Sequence, residues 1–211
     1  MSSVNPTAPE AKYTFLSLGD SYTIGESVFE VERWSVQLAG MLREEGLAIT
    51  NPDIIAKTGW TTAELQEAIN INGNQKTYHL VSLLIGVNNQ YREQGLDQYR
   101  TEFRELLQTA TQFAGGESAH VFVLSIPDWG DSPFAADRDR TKITREIDQF
   151  NTLVKEECGK AGIAYVDITP LTRSATGDES QFASDGLHYS GKQMKQWAKQ
   201  ALPVVKQLMS H

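Results

Sequence analysis

The chain has 211 residues, 40% of them hydrophobic, with 27 Asp and Glu against 19 Lys and Arg and a formal charge of −8. That length and apolar content fit one globular domain with a real core and argue against a disordered chain. The acidic balance, with no cluster of Lys and Arg, argues against nucleic acid as a partner; the lone Cys158 excludes an internal disulfide and a cysteine-based zinc cluster; and no apolar run approaches the roughly 20 residues a membrane span needs.

Residues 1–11 carry two prolines among small or polar side chains and read as a flexible tail, leaving residues 12–211 as a single domain. The tail has neither a basic nor an apolar signal stretch, so a cytoplasmic location is expected unless an export signal has been removed. A first strand is predicted from Tyr13 to Leu18, ending at Gly19, with Asp20, Ser21 and Tyr22 directly after it. A helix follows over Arg33 to Glu45, where Trp34, Leu38, Met41 and Leu42 recur at helical spacing and Gly46 stops it. Asp53 to Lys57 is a short second strand, closed by Thr58-Gly59-Trp60. Thr61 or Thr62 then caps a helix that breaks at Asn72-Gly73-Asn74.

Tyr78 to Ile85 is the most apolar strand, as the centre of a parallel sheet requires, and it runs into Gly86-Val87-Asn88-Asn89. A helix over Asp97 to Phe113, a fourth strand over Val121 to Ile126, a long charged helix over Arg138 to Lys160 and a fifth strand over Ile163 to Ile168 come next. An irregular stretch, Thr169 to Ala183, leads to S-D-G-L-H-Y-S-G and a last helix bearing Met194, Trp197, Leu202 and Val205. Strands alternating with helices mean βαβ units: an α/β fold of three layers with a five-stranded parallel sheet, for which the flavodoxin-like order 2-1-3-4-5 is the natural choice.

In that order the switch point lies between the first and third strands, so Ser21 and Asn88 face each other across the crevice where ligands bind, with Gly59 beside them. Ser21 fits two roles, a cap for the next turn or a nucleophile. A nucleophilic serine needs a base, and His188, with Asp185 three residues before it to orient the ring, is the candidate. Asp185 as a cap and His188 as a turn residue is the plainer alternative.

Taken jointly, G-D-S-Y at Gly19 to Tyr22, Gly59, G-V-N at Gly86 to Asn88 and D-G-L-H at Asp185 to His188 make the chain resemble the SGNH hydrolases, the GDSL esterases and lipases. The resemblance implies a Ser21 nucleophile, a His188 base oriented by Asp185, and an oxyanion hole from the Ser21 and Gly59 backbone N–H groups and the Asn88 side chain. It implies hydrolysis of a small-molecule carboxylic ester, of esterase, lysophospholipase or carbohydrate acetylesterase type, with no cofactor and no metal. One position departs from the pattern: Asn89 stands where the family usually has Asp.

Asp20 reads as a loop organiser. Tyr22, Trp60, Tyr91, Asp128, Trp129 and Phe134 are candidates to line the substrate site, and the aromatics among them serve equally well as loop anchors. The rival from another class is a flavin- or nucleotide-binding module that seats a phosphate in the hydroxyl-rich turn of Ser21, Thr23 and Ser27. It gives Asp185 and His188 no task. The sequence leaves the oligomeric state open.

Overall fold

The computed structural model describes residues 12–210; the expected tail at 1–11 and His211 lie outside the described residues. In chain order, β1 (Phe15–Gly19) runs into a single-turn helix α1 (Ser21–Ile24) and then α2 (Trp34–Glu44). β2 (Asp53–Ala56) and α3 (Thr62–Asn72) follow, then β3 (Leu80–Leu84) with a one-turn α4 (Val87–Tyr91) and the longer α5 (Leu96–Phe113). β4 (Val121–Leu124), α6 (Arg140–Ala161), β5 (Ala164–Val166), a short α7 (Thr169–Arg173) and α8 (Gly191–Leu208) complete the order.

All five strands are parallel and stand in the order β2-β1-β3-β4-β5, as the alternation of elements predicted. Every residue of β1, β3 and β4 is buried, which explains their unbroken apolar character. Two serines interrupt it, Ser17 on β1 and Ser82 on β3. They are register partners, and their hydroxyls satisfy each other at 2.8 Å. α2 packs on α8, whereas α5 contacts both α3 and α6, giving two helix groups around the sheet.

The caps show why the helices begin where they do. Thr61 accepts from the Glu64 N–H while the Glu64 carboxylate accepts from the Thr61 N–H, a reciprocal capping box that starts α3. Asp139 caps α6, and Ser190 caps α8. Three one-turn helices, α1, α4 and α7, lie where sequence predicted loops, and part of the stretch expected to be irregular at Thr169 to Ala183 is α7 and a 3₁₀ turn over Glu179–Gln181.

Register places the site. Gly19 is level with Ala56 of β2 and Leu84 of β3. The loops carrying Ser21, Gly59 and Asn88 therefore leave the sheet at one height, at the carboxyl ends of three adjacent strands.

Candidate active site

Ser21 is the first residue of α1, and its position depends on Gly19. A Cβ at Gly19 would collide with the Leu84 carbonyl oxygen on β3 and the Thr23 hydroxyl on α1, so only glycine lets the chain turn so tightly against its neighbour. Asp20 then caps α1, its Oδ1 accepting from the Tyr22 N–H at 3.0 Å. Its Oδ2 is buried with no partner among the described residues. Burial holds the carboxyl up at about 7, against the pull of the backbone donors. Asp20 thus organises the turn, as expected.

His188 and Asp185 come from the turn before α8. The His188 Nδ1 lies 2.7 Å from Asp185 Oδ2, while Asp185 Oδ1 accepts from the Leu187 and His188 backbone N–H groups, each at 2.9 Å. Partial burial raises the Asp185 pKa, but the His188 ring, these two N–H groups and the Ser27 hydroxyl outweigh it and bring the carboxyl to about 2. Asp185 is therefore ionised at neutral pH and holds the imidazole by one nitrogen, while the other has no protein partner among the described residues. The Tyr22 ring meets the His188 ring edge-on, with centroids 5.8 Å apart, and also contacts Tyr189 and Trp197.

Ser21 and His188 open into one cavity of about 230 Å³, lined also by Tyr22, Val87, Asn88, Tyr91, Trp129, Phe134 and Leu187. No hydrogen bond joins the Ser21 hydroxyl to the His188 ring among the described residues. Of the residues expected at the site, the structure gathers Ser21, Tyr22, Asn88, Tyr91, Trp129, Phe134 and His188 around the cavity, with Asp185 behind His188.

Two expected lining residues are not there. Asp128 is wholly buried, accepting from Thr144, Arg173 and the Gly130 N–H, so it braces the loop after β4 instead of facing substrate. Trp60 also stands outside the lining; its carbonyl oxygen accepts from the Asn88 Nδ2 at 2.9 Å and so aims that carboxamide. Gly59 adopts a φ of +89°, and its carbonyl accepts from Arg92 at 2.6 Å. Neither the Ser21 nor the Gly59 backbone N–H donates to a protein acceptor among the described residues, and the Asn88 carboxamide has one N–H left over.

Asn89, the departure from the usual pattern, is fully buried and uses both ends of its carboxamide. It accepts from the Thr62 N–H at 3.2 Å and donates to the Thr62 hydroxyl at 2.6 Å and to Gln94, which in turn donates to Glu102. A carboxylate there could make only the accepting half of this network, and it would add a buried charge near Glu102. The loop is thus anchored by Asn89 itself.

The aromatic residues are anchors and lining at once. Trp129 Nε1 donates to Gln90 at 2.8 Å, and its ring contacts those of Tyr91 and Phe134. The Arg138 guanidinium lies 4.8 to 5.7 Å from the centroids of all three. Sequence reading missed Val87 and Leu187, though both sit inside the motifs that carry Asn88 and His188. Two hydroxyls of the turn that a bound phosphate would need are out of its reach: Thr23 is fully buried and Ser27 donates to Asp185. The binding-module alternative is not favoured.

This fold, with its crevice between β1 and β3, is that of the SGNH hydrolases. The chain belongs to the GDSL-like Lipase/Acylhydrolase family, whose model matches residues 17–195. None of the curated proteins compared matches it. Among solved structures, TesA is similar at 18% identity, with 93% of this chain and 99% of that one covered and a TM-score of 0.73. The psychrotrophic esterase EstA from Pseudoalteromonas sp., inhibited by monoethylphosphonate, gives 15% identity, coverage of 95% and 100%, and a TM-score of 0.71. Axe2, an acetylxylan esterase from Geobacillus stearothermophilus, gives 17% identity, coverage of 93% and 95%, and a TM-score of 0.70. At these identities the likeness is one of fold.

Proposed function

We propose that the chain, as one domain over residues 12–211, is a serine hydrolase that cleaves a carboxylic ester through an acyl-enzyme on Ser21. The observation that carries this reading is the single cavity into which Ser21 and the Asp185-held His188 both open. His188 takes the Ser21 proton through its free ring nitrogen as the hydroxyl attacks the ester carbonyl. The tetrahedral oxyanion is met by the Ser21 and Gly59 N–H groups and the remaining Asn88 Nδ2–H, which have no protein acceptor among the described residues. His188 then gives the proton to the leaving alcohol. In the second half it activates water, which releases the acid and restores Ser21. Ionised Asp185 stabilises the imidazolium at each transfer.

Two comparisons support the assignment of the base and its orienter. The Axe2 structures include catalytic mutants at a histidine and at an aspartate three positions before it, the spacing of Asp185 and His188. The cavity is smaller than the roughly 300–1,000 Å³ of most small-molecule sites, which favours a short acyl group over a fatty one. A simple esterase or carbohydrate acetylesterase fits that size better than a lysophospholipase does.

A fluorophosphonate probe tests the mechanism without a guess about substrate. Intact-mass and peptide analysis should find one adduct, on Ser21, and none on Ser21→Ala. Folded wild-type protein that takes no adduct would overturn the reading.

A further inference from the structure

Asp185 is held by four donors. Three come from its own turn: the Leu187 and His188 N–H groups on Oδ1 and the His188 ring on Oδ2. The fourth is the Ser27 hydroxyl, 158 residues away in the chain and 2.9 Å from the same Oδ2 that faces the imidazole. The three local bonds fix Asp185 and His188 to each other; among the described residues, only the Ser27 hydrogen bond ties the carboxylate to the segment that carries Ser21.

Ser27 reaches Asp185 from an unfavourable backbone conformation. Its φ is 65°, one of two positive values outside glycine among the described residues, and nothing about a serine side chain relieves the crowding of that region. Gly25, two residues earlier, ends α1 with a φ of 70°. Between them, Glu26 accepts a hydrogen bond from the Thr58 hydroxyl, next to Gly59. Residues 25–27 therefore touch three parts of the site at once: the helix that begins at Ser21, the Gly59 turn and the Asp185 carboxylate.

We propose that Ser27 is a positioning residue: its hydroxyl fixes Asp185, and through it the His188 ring, relative to Ser21. The proposal rests on the serine-hydrolase reading above. Ser27 touches neither substrate nor the reacting atoms. It is solvent-exposed, so water takes over part of its bond when it is removed, and the loss is one of alignment.

Ser27→Ala and Ser27→Gly test this together. Both delete the hydroxyl, but the glycine also removes the Cβ that is strained at positive φ. If Ser27 acts by positioning, both variants lower kcat by about three- to tenfold, the worth of one exposed hydrogen bond, with KM unchanged. In both, the downfield proton resonance of the Asp185–His188 bond also broadens through faster exchange with water. A Ser27→Gly protein with wild-type kcat and a wild-type resonance would overturn the proposal, even if Ser27→Ala were impaired, because the serine would then be serving loop conformation alone. The resonance needs no turnover, so it also decides the matter if wild-type Ser21 takes no fluorophosphonate and the hydrolase reading itself fails.

Discussion

Asp20 sits one residue before the candidate nucleophile with one carboxylate oxygen buried and unpartnered, and its pKa stands at about 7 instead of the ordinary 3.8. An acid that holds its proton more tightly when folded favours folding below its unfolded pKa and loses that contribution as pH rises through the folded one. The loss should therefore run from about pH 4 to about pH 7. Asp20→Asn keeps an acceptor for the Tyr22 N–H and carries no charge, so it should gain stability relative to wild type over that window, by up to about 4 kcal/mol at pH 8. Urea unfolding of both proteins at pH 4 and pH 8 measures it, and a difference that ignores pH would contradict the burial argument. The same scale shows the limit of reading side chains from sequence. Ser21, Asn88, Asp185 and His188 could be singled out because each reactive or polar type falls at a strand end or before a helix. Ser27 stood out only as one hydroxyl of a phosphate-binding turn, and its link to Asp185 could not be read, since nothing in its neighbours marks a positive φ or a partner 158 residues away.

Among the elements, the strands and long helices were legible because burial imposes a pattern on many residues at once. The apolar run of β3 and the spaced Trp34, Leu38 and Leu42 of α2 are such patterns. One turn of helix shows no period, so α1, α4 and α7 read as loops. Asp128 was misplaced for a related reason. A carboxylate in a loop after a strand looks exposed until Thr144 and Arg173, from α6 and α7, are seen around it. The close approach of β1 and β3 gives a sharper expectation. Gly19→Ala should destabilise by about 2–4 kcal/mol, because neither the Leu84 backbone nor buried Thr23 can yield. Gly40→Ala on α2, where the new Cβ meets nothing nearer than Arg43 at 3.9 Å, should instead stabilise by about 0.5–1 kcal/mol. Thermal unfolding of the pair separates a packing limit from helix propensity.

For the whole molecule, the proposed ester hydrolysis carries an expectation about acyl length that follows from the size of the cavity. The Tyr22, Val87, Trp129 and Leu187 side chains bound a space of about 230 Å³. Activity on 4-nitrophenyl esters should peak for acyl groups of about two to four carbons, and kcat/KM should fall at least about tenfold by about ten carbons. A steady rise with chain length would show that the aromatic wall opens.

The parts of this site are supplied from segments far apart in sequence. Ser21 lies on the first strand's turn, whereas Asp185 and His188 precede α8, which is pinned to α2 by the Gln37–Gly191 hydrogen bond and the Lys206–Glu45 ion pair. In the proposed mechanism the nucleophile is therefore synthesised well before its base, and until Asp185 and His188 follow, Ser21 has nothing to deprotonate it. On the proposed mechanism a protein cut just before Asp185 would be catalytically silent however well its sheet had formed.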